Sequence, residues 1–238
     1  NHFVTLAGGS EVLSQSYRIP RSVHRVADGV VRRIRLRQKK IWLPRTQEGS
    51  VERTYDPNTV DFNVHGEGEN WLILAQANYM LDDLAARLTS NGQYFERKGA
   101  PSLKKNVRNA KKMLAGTSEQ DLFSLSALRQ HFGLEAENNT WDFVLDRISD
   151  EDRAYASALL NRGINIFEKP KIKLSTIHGA KGGEADNVLL YLDLSGKALA
   201  EMERNPDDAL RVLYVGITRA KQNLVLKMPD DPQRGWAI

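Results

Sequence analysis

Short apolar runs bounded by polar or glycine-bearing segments recur along the chain, and between them apolar residues return at helical spacing. Such runs, rich in leucine and β-branched side chains, are typical of strands buried in a sheet. The predicted strands are Ile41–Leu43, Val51–Tyr55, Asn70–Ala75, Gln93–Glu96, Val188–Leu192 and Asn223–Leu226. Because these strands alternate with helices, the pattern predicts an α/β fold with a parallel sheet.

Two helices follow from the same pattern. Pro20 suits a first helical turn, so Tyr17 and Arg18 are predicted to lie on a turn just before the helix. The apolar residues that then recur are Val23, Val26, Ala27, Val30 and Val31. In the second helix one face carries Met80, Leu81, Leu84, Ala85 and Leu88, and Asn91-Gly92 ends it.

Residues 98–165 differ in character, because they are charge-rich and poor in β-branched runs. The candidate helices here are Leu103–Leu114, Leu122–His131, Trp141–Ile148 and Asp150–Asn161. We therefore predict a small, mainly helical insertion at 98–165 that separates two parts of one sheet domain, 1–97 and 166–238.

Composition limits the class of protein. A chain of 238 residues, 41% hydrophobic and 27% charged, is long enough to bury a core, so disorder is not expected. The chain contains no cysteine, which excludes disulfides and cysteine-ligated zinc. No run has the length of a membrane span and the N-terminus lacks the form of a signal peptide, so we expect a cytoplasmic protein.

Positive charge is clustered although the net charge is only +4. The first cluster has seven cations and no acid: Arg32, Arg33, Arg35, Arg37, Lys39, Lys40 and Arg45. The second comprises Lys104, Lys105, Arg108, Lys111 and Lys112. Either cluster could bind a nucleic-acid backbone, and either could be a solvated surface that keeps the protein soluble. The sequence leaves both interpretations open.

Three segments combine polar, glycine and charged residues beside the predicted strands and the first helix. The earliest reads Leu13-Ser14-Gln15-Ser16-Tyr17-Arg18-Ile19-Pro20. The next reads Lys173-Leu174-Ser175-Thr176-Ile177-His178-Gly179-Ala180-Lys181-Gly182-Gly183-Glu184, and the last reads Arg211-Val212-Leu213-Tyr214-Val215-Gly216-Ile217-Thr218-Arg219-Ala220-Lys221. Each lies at the end of a strand or helix, and strand ends are where α/β sheets bind ligands.

These segments resemble motifs IV, V and VI of superfamily 1 helicases of the UvrD/Rep type. The patterns of motifs V and VI are roughly T-x-H-x-x-K-G-x-E and Y-V-A-x-T-R-A-K. The resemblance implies the second RecA-like domain, called 2A, of a DNA helicase of the P-loop NTPase type. It also implies that the insertion is a reduced form of the helical subdomain called 2B.

The resemblance implies roles for eight residues. Tyr17 would pack on the adenine of ATP, Arg18 and Arg219 would reach the terminal phosphate as catalytic residues, and Glu184, with Gly182 beside it, would contact the ribose. Thr176, His178 and Gly179 would hold single-stranded DNA by its backbone. Taken one at a time, a turn arginine or a lone histidine has an ordinary structural interpretation as well.

Two departures from the family pattern affect these roles. Gly183 and Ala185 flank Glu184 where the family has an apolar residue and an aromatic one, so we expect looser local packing. Gln76 stands after the third predicted strand where the family commonly has an arginine, which leaves the DNA contact of that segment open.

The chain lacks the other parts that ATP hydrolysis needs. It has no G-x-x-x-x-G-K-[ST] loop and no strand that ends in paired acids, and we expect no metal ligands in it. We therefore expect that the chain starts after motif III of a longer protein, whose N-terminal RecA-like domain holds most of the site for ATP and Mg²⁺.

The sequence thus predicts the C-terminal motor domain of an ATP-dependent DNA helicase or translocase, associated with the nucleoid and inactive on its own. Its partners would be single-stranded DNA or a duplex junction. The alternative is a RecA-like module that binds nucleic acid or protein without hydrolysing ATP.

Overall fold

The computed structural model describes residues 14–38, 41–62, 69–104 and 149–238. The chain divides into two compact units, the first formed by Asn1–Leu81 with Ser175–Ile238 and the second by Asp82–Leu174. Three predicted helices, Leu103–Leu114, Leu122–His131 and Trp141–Ile148, lie wholly or almost wholly outside the described residues. The division into 1–97, 98–165 and 166–238 therefore stays a prediction.

The described residues contain seven strands and five α-helices. The strands are β1 Ser50–Thr54, β2 Trp71–Ala75, β3 Phe95–Arg97, β4 Ala100–Pro101, β5 Ile172–Thr176, β6 Ala185–Tyr191 and β7 Ala220–Lys227. The helices are α1 Arg21–Arg33, α2 Asp82–Ser90, α3 Asp150–Asn161, α4 Gly196–Arg204 and α5 Pro206–Ile217. Short 3₁₀ turns occur at Pro57–Thr59, Asn78–Leu81 and Pro232–Arg234. The predicted α/β class is confirmed.

Four parallel strands make the sheet of the first unit, in the order β1-β7-β6-β2. The register aligns Leu72 with Val188 and Val188 with Leu224, so these residues lie on one face. The row two residues further along, Leu74, Leu190 and Leu226, lies on the same face because side chains alternate along a strand. Both rows are buried in the main hydrophobic core.

Helices α1, α4 and α5 belong to the same unit. The residues Val23, Ala27 and Val30 of α1 recur every three or four positions and are buried in the main core. Helix α1 packs on α5, β1 and β7, and α5 packs on α4 and β6. Because α4 and α5 join β6 to its parallel neighbour β7, this part of the chain is a strand-helix-strand crossover.

The second unit has its own smaller core. In it β3 pairs in parallel with Ile172–Leu174 of β5 and antiparallel with β4. Helix α3 contributes Tyr155, Ala156 and Leu159 to a cluster with Tyr94, Leu103 and Ile166. The Tyr155 hydroxyl donates to the Gln93 carbonyl at 2.6 Å, and burial, opposed by a hydrogen bond with Ser102, raises the pKa of Tyr155 to about 12.

Most predicted elements are present, but the strand at Ile41–Leu43 is wrong. Only an isolated bridge forms there, between Leu43 and Gln15. The Leu43 N–H donates to the Ser14 carbonyl and the Ser16 N–H donates to the Leu43 carbonyl, at 2.6 and 2.7 Å. The next N–H on that side, from Arg45, donates to the Ile19 carbonyl at 3.0 Å, so the ladder ends after one rung. In the part of the chain that the structure describes, every helix is too short or too polar to span a lipid bilayer.

Candidate functional site

The segment from Ile177 to Glu184 connects opposite edges of the first unit's sheet. The Ile177 N–H donates to the carbonyl of Ala75, the last residue of β2, at 3.0 Å. Glu184 directly precedes Ala185, where β6 begins beside the start of β7. Because β2 and β6 run parallel, the segment passes from the carboxyl edge of the sheet to its amino edge. Gly182 has φ +81°, which favours glycine over any other residue.

The three predicted DNA contacts lie at the carboxyl edge. Thr176 is the last residue of β5, and its Oγ1 accepts the Gly179 N–H at 3.0 Å. A side chain on Gly179 would approach Ser175 Oγ to 2.9 Å, so this turn is built closely around a glycine. The His178 side chain is exposed. A hydroxyl, an imidazole and a tight backbone turn thus lie together on the surface.

Arg219 lies at the amino edge, between the end of α5 and the start of β7. Only Thr218 and Arg219 separate the two elements. The guanidinium Nε donates to the Val215 carbonyl at 3.1 Å, and Nη1 donates to the Gly183 carbonyl at 3.0 Å. Arg219 therefore follows the end of a helix and leads directly into a strand.

Arg18 and Glu184 meet beside Arg219. The Arg18 Nη1 atom lies 3.3 Å from Glu184 Oε2, and the two side chains are 41% and 43% exposed. An exposed ion pair contributes about 0–1 kcal/mol, so this contact does little for the fold and leaves both groups open to a ligand. The neighbouring Tyr17 is 86% exposed on the turn before α1, as predicted.

The electrostatics confirm that these side chains form one cluster. Burial, and then the nearby charge of Arg18, lowers the pKa of Arg219, whereas Glu184 and Tyr214 raise it. Burial raises the pKa of Tyr214, and the charges of Arg18 and Arg219 oppose that shift. Two guanidinium groups are therefore held close enough to repel each other, with Glu184 as the neighbouring acid. Such an arrangement is suited to bind an anion that carries more than one charge.

The position of this cluster differs from the usual rule for α/β proteins. Their ligands usually bind at the carboxyl ends of the strands, whereas Glu184 and Arg219 precede β6 and β7 at the amino ends. The physical reason lies in the connections, because Gly183-Glu184 and Thr218-Arg219 lead directly into their strands. The eight predicted residues therefore divide between the two edges of the sheet.

Sequence reasoning assigned no role to Lys221, although it lies in the quoted block. Its Nζ atom lies 3.6 Å from Asp186 Oδ1 and 4.0 Å from Glu184 Oε1. Gln222 Nε2 donates to the same Asp186 oxygen at 3.3 Å. Each oxygen of the Glu184 carboxylate therefore faces a different cation. Arg18 lies beside Oε2 and Lys221 lies beside Oε1.

Most members of the basic clusters that lie among the described residues contact other parts of the chain. Arg32 pairs with Asp28 at 2.8 Å, and Arg37 donates to the Ile34 carbonyl at 2.8 Å. Arg33 and Arg45 also donate to backbone carbonyls. Of the second cluster only Lys104 lies among the described residues, where it pairs with Asp152. Binding of nucleic acid by either cluster stays a prediction.

Within residues 14–38, 41–62, 69–104 and 149–238, no three histidine, aspartate or glutamate side chains are grouped so that they could hold a metal ion. The amino-edge cluster instead supplies cationic donors. Arg18 pairs with Glu184 through Nη1. Its Nε atom is buried and has no hydrogen-bond partner among the described residues. This donor set fits a phosphate better than a cation.

A mostly parallel sheet flanked by helices, with arginine and glutamate gathered at one edge, defines an α/β domain of the RecA-like class. Residues 148–230 match the family model of the UvrD-like helicase C-terminal domain. Over that stretch the resemblance predicted from the motifs is therefore confirmed. The segment that resembles motif IV lies outside the match.

Comparison with individual proteins adds little. No curated protein matches this chain. A solved structure, described as the C-terminal domain of a possible DNA helicase from Lactobacillus plantarum WCFS1, is 16% identical, with 69% of this chain and 74% of that chain covered. Its TM-score is 0.20, which is too low a likeness to bear on fold or function.

Proposed function

We propose that this chain supplies the C-terminal motor domain of an ATP-dependent DNA helicase or translocase. One observation carries the proposal: Arg18, Glu184 and Arg219, far apart in the sequence, meet at the amino edge of one sheet. The family match at 148–230 covers Glu184 and Arg219. Arg18 joins them through its contact with Glu184 at 3.3 Å.

Each side chain has a role that its chemistry suits. Arg219 is held by the carbonyls of Val215 and Gly183, so its guanidinium is already oriented to stabilise negative charge on a transferred phosphoryl group. Arg18 binds the terminal phosphate from the other side, with its partly exposed donors. Glu184 accepts a hydrogen bond from a ribose hydroxyl, and Gly182 lets the backbone approach closely. Tyr17, on the exposed turn, packs against the adenine.

ATP would supply the phosphoryl group and the free energy for movement along DNA. The described residues fit part of this ligand, because they offer guanidinium donors and one carboxylate acceptor. They offer no grouped acids for Mg²⁺. We propose that an N-terminal RecA-like domain of the full-length protein holds the metal ion and the remaining phosphate contacts, so that this chain alone hydrolyses no ATP.

Single-stranded DNA would lie at the opposite, carboxyl edge. Thr176 Oγ1, the exposed His178 ring and the backbone at Gly179 are groups that hold phosphates without reading bases. A motor that moves along DNA needs contacts of this kind, because every nucleotide it passes must be held equally well.

Replacement of Arg219 by alanine tests the catalytic role in the full-length protein. We expect DNA-stimulated ATP turnover to fall roughly a thousandfold, about 4 kcal/mol in the activation barrier, while nucleotide affinity changes little. Arg219→Lys should recover little, because an ammonium lacks the planar fork that two phosphate oxygens require. Steady-state phosphate release and binding of a fluorescent ATP analogue measure the two quantities.

Arg204→Ala is the matched control, because Arg204 is an exposed arginine at the end of α4, outside the site. It should turn over ATP as the parent protein does. Turnover within tenfold of the parent in Arg219→Ala would contradict the catalytic assignment. It would favour the alternative of a module that binds nucleic acid or protein without hydrolysis.

A further inference from the structure

A short stretch of irregular chain contacts both arginine-bearing segments of the candidate site. We call this stretch, residues 44–49, the strap. Arg45 in the strap contacts the segment of Arg18 through its backbone N–H and the segment of Arg219 through its guanidinium. We propose that Arg45 is a positioning residue that sets the separation of Arg18 and Arg219. This inference rests on the proposed function and adds a residue that neither the motifs nor the family match includes.

The strap holds the turn that carries Arg18. The Arg45 N–H donates to the carbonyl of Ile19, the residue after Arg18, at 3.0 Å. The Arg21 N–H donates to the Gln47 carbonyl at 3.0 Å, and Ser22 donates to the Glu48 carbonyl from its N–H and from Oγ, at 2.9 and 2.7 Å. The turn before α1 is thus joined to the strap along its length.

The strap also holds the segment that carries Arg219. The Arg45 guanidinium donates through Nη2 to the carbonyl of Lys221, two residues after Arg219. Gly49 lies so close that a side chain there would be 2.5 Å from the Gln222 carbonyl oxygen and 2.7 Å from Pro20 Cγ. The Lys221 carbonyl belongs to β7, so on this side Arg45 is anchored to a strand of the sheet.

The consequence for the site is geometric. Arg18 is held on an exposed turn, and its ion pair with Glu184 contributes little binding energy because both side chains are more than 40% exposed. Arg45, which is only partly exposed, connects that turn to β7, because its backbone N–H bonds to Ile19 and its guanidinium bonds to Lys221. Catalytic groups must be held within a fraction of an ångström, and a displacement of about 1 Å can lower the rate about a hundredfold.

The charge of Arg45 itself is not what the site requires. Its Nη2 atom donates to the Lys221 carbonyl, and its Nε atom is buried. A residue that acts in this way should lower kcat by misplacing Arg18 relative to Arg219, while the affinity for ATP changes much less. A residue needed only for folding would lower the amount of active protein and the melting temperature together.

The test uses the full-length protein that contains this chain. In Arg45→Ala we expect kcat for DNA-stimulated ATP hydrolysis to fall roughly ten- to a hundredfold, with KM for ATP changed less than about threefold. Arg45→Lys can still donate one hydrogen bond to the Lys221 carbonyl, so it should recover most of the rate. Arg25→Ala is the matched control: Arg25 also contacts the strap, through an exposed pair with Glu48, but does not reach β7. It should leave kcat unchanged.

A double substitution separates positioning from mere stability. If Arg45 acts by placing Arg18 relative to Arg219, the loss caused by Arg45→Ala should be largely absent in an Arg219→Ala background, because the group it aligns is gone. Equal losses in both backgrounds would overturn the inference, and so would a parent-like kcat in Arg45→Ala. If Arg45→Ala does not fold, Arg45→Met, which keeps a long unbranched side chain but has no hydrogen-bond donor, replaces it with the same expected non-additivity. If Arg219→Ala alone retained parent-like turnover, the proposed function itself would fail.

Discussion

At the scale of single residues, the contact between Arg18 and Glu184 has a use beyond stability. The pair is exposed at both ends and contributes about 0–1 kcal/mol, so a nucleotide could separate it at little cost. Under the proposed function, Arg18 would exchange this contact for one with a phosphate, and Glu184 would exchange it for a hydrogen bond from a ribose hydroxyl. Lys221 Nζ lies 4.0 Å from the other oxygen of Glu184, so a second cation faces the same carboxylate.

Gly49 is the residue at which the strap comes closest to β7. It has φ +67°, and a side chain there would meet the backbone of Gln222 at 2.5 Å. We expect Gly49→Ala to lower the free energy of unfolding by about 2–3 kcal/mol, since a positive φ costs about 1 kcal/mol and the clash with a backbone oxygen adds to it. Urea denaturation followed by circular dichroism measures the change.

Gly182→Ala is the control for that substitution, since Gly182 has φ +81° in the same unit but open space around a Cβ. Gly182→Ala should lower the free energy of unfolding only by the cost of a positive φ, about 1 kcal/mol. If the two variants were destabilised equally, the close approach of the strap to β7 would not be a constraint on folding.

At the scale of elements, the apolar runs predicted the strands well and the connections poorly. Leu72, Val188 and Leu224 each lie in a leucine- or valine-rich run, and burial on both sides of a parallel sheet requires such runs. The failure at Ile41–Leu43 came from an equally apolar run that forms only one bridge, because the next N–H, from Arg45, donates to the Ile19 carbonyl instead of extending the ladder. Helix α5 was also missed within the last motif, because its valine- and leucine-rich sequence suits a strand as well as a helix.

One contact between elements makes a pH dependence predictable. Asp207, in the first turn of α5, accepts the backbone N–H groups of Arg35 and Leu36, just beyond the end of α1, at 3.0 and 2.8 Å. The bond from Arg35, then that from Leu36, lowers the pKa of Asp207 below its ordinary value. A carboxylate with a lowered folded pKa stabilises the fold above the unfolded pKa, about 3.9, and that contribution is lost as the pH falls through the folded pKa.

Asp207→Asn should therefore be less stable than the parent chain at pH 7, and the difference should shrink as the pH falls below about 4. Thermal melts between pH 7 and pH 2 measure it. Asp208→Asn is the control, because Asp208 is an exposed neighbour that pairs with Arg211 on its own helix. A difference that stayed constant over the whole range, or that appeared equally in Asp208→Asn, would contradict the assignment.

At the scale of the whole molecule, the site residues were predictable only where they are contiguous in sequence. The pair Tyr17-Arg18, the segment Thr176–Glu184 and the segment Thr218–Lys221 are local patterns, so a single sequence reveals them. Arg45 was not predictable in its role, because its contact with the Lys221 carbonyl joins positions 176 residues apart. It had been counted only as one charge in a basic cluster.

The separation of the two candidate binding surfaces follows from the family resemblance but not from the spacing of the residues alone. Thr176 and Glu184 are eight residues apart, a distance that allows either one shared surface or two. The register decides, because the Ile177 N–H bonds to the end of β2 while Ala185 begins β6 beside the start of β7. DNA at one edge and nucleotide at the other would then be linked through Ile177–Gly183, which packs against the main core through Ile177 and Ala180. Ligand coupling through such a segment must be reciprocal.

The last prediction tests the DNA edge of this arrangement. With Thr176→Ala and His178→Ala combined in the full-length protein, we expect single-stranded DNA affinity to fall about tenfold, by a similar factor for unrelated sequences, because groups that bind the backbone carry no base information. The DNA concentration needed for half-maximal stimulation of ATP hydrolysis should rise by the same factor. Fluorescence anisotropy at fixed salt, with homopolymer and mixed-sequence oligonucleotides, measures affinity. Arg204→Ala is the control, because it removes an exposed cation from the other end of α4, which leads away from the carboxyl end of β6. Weakening for one sequence only, or equal weakening in Arg204→Ala, would remove the reason to place DNA at this edge.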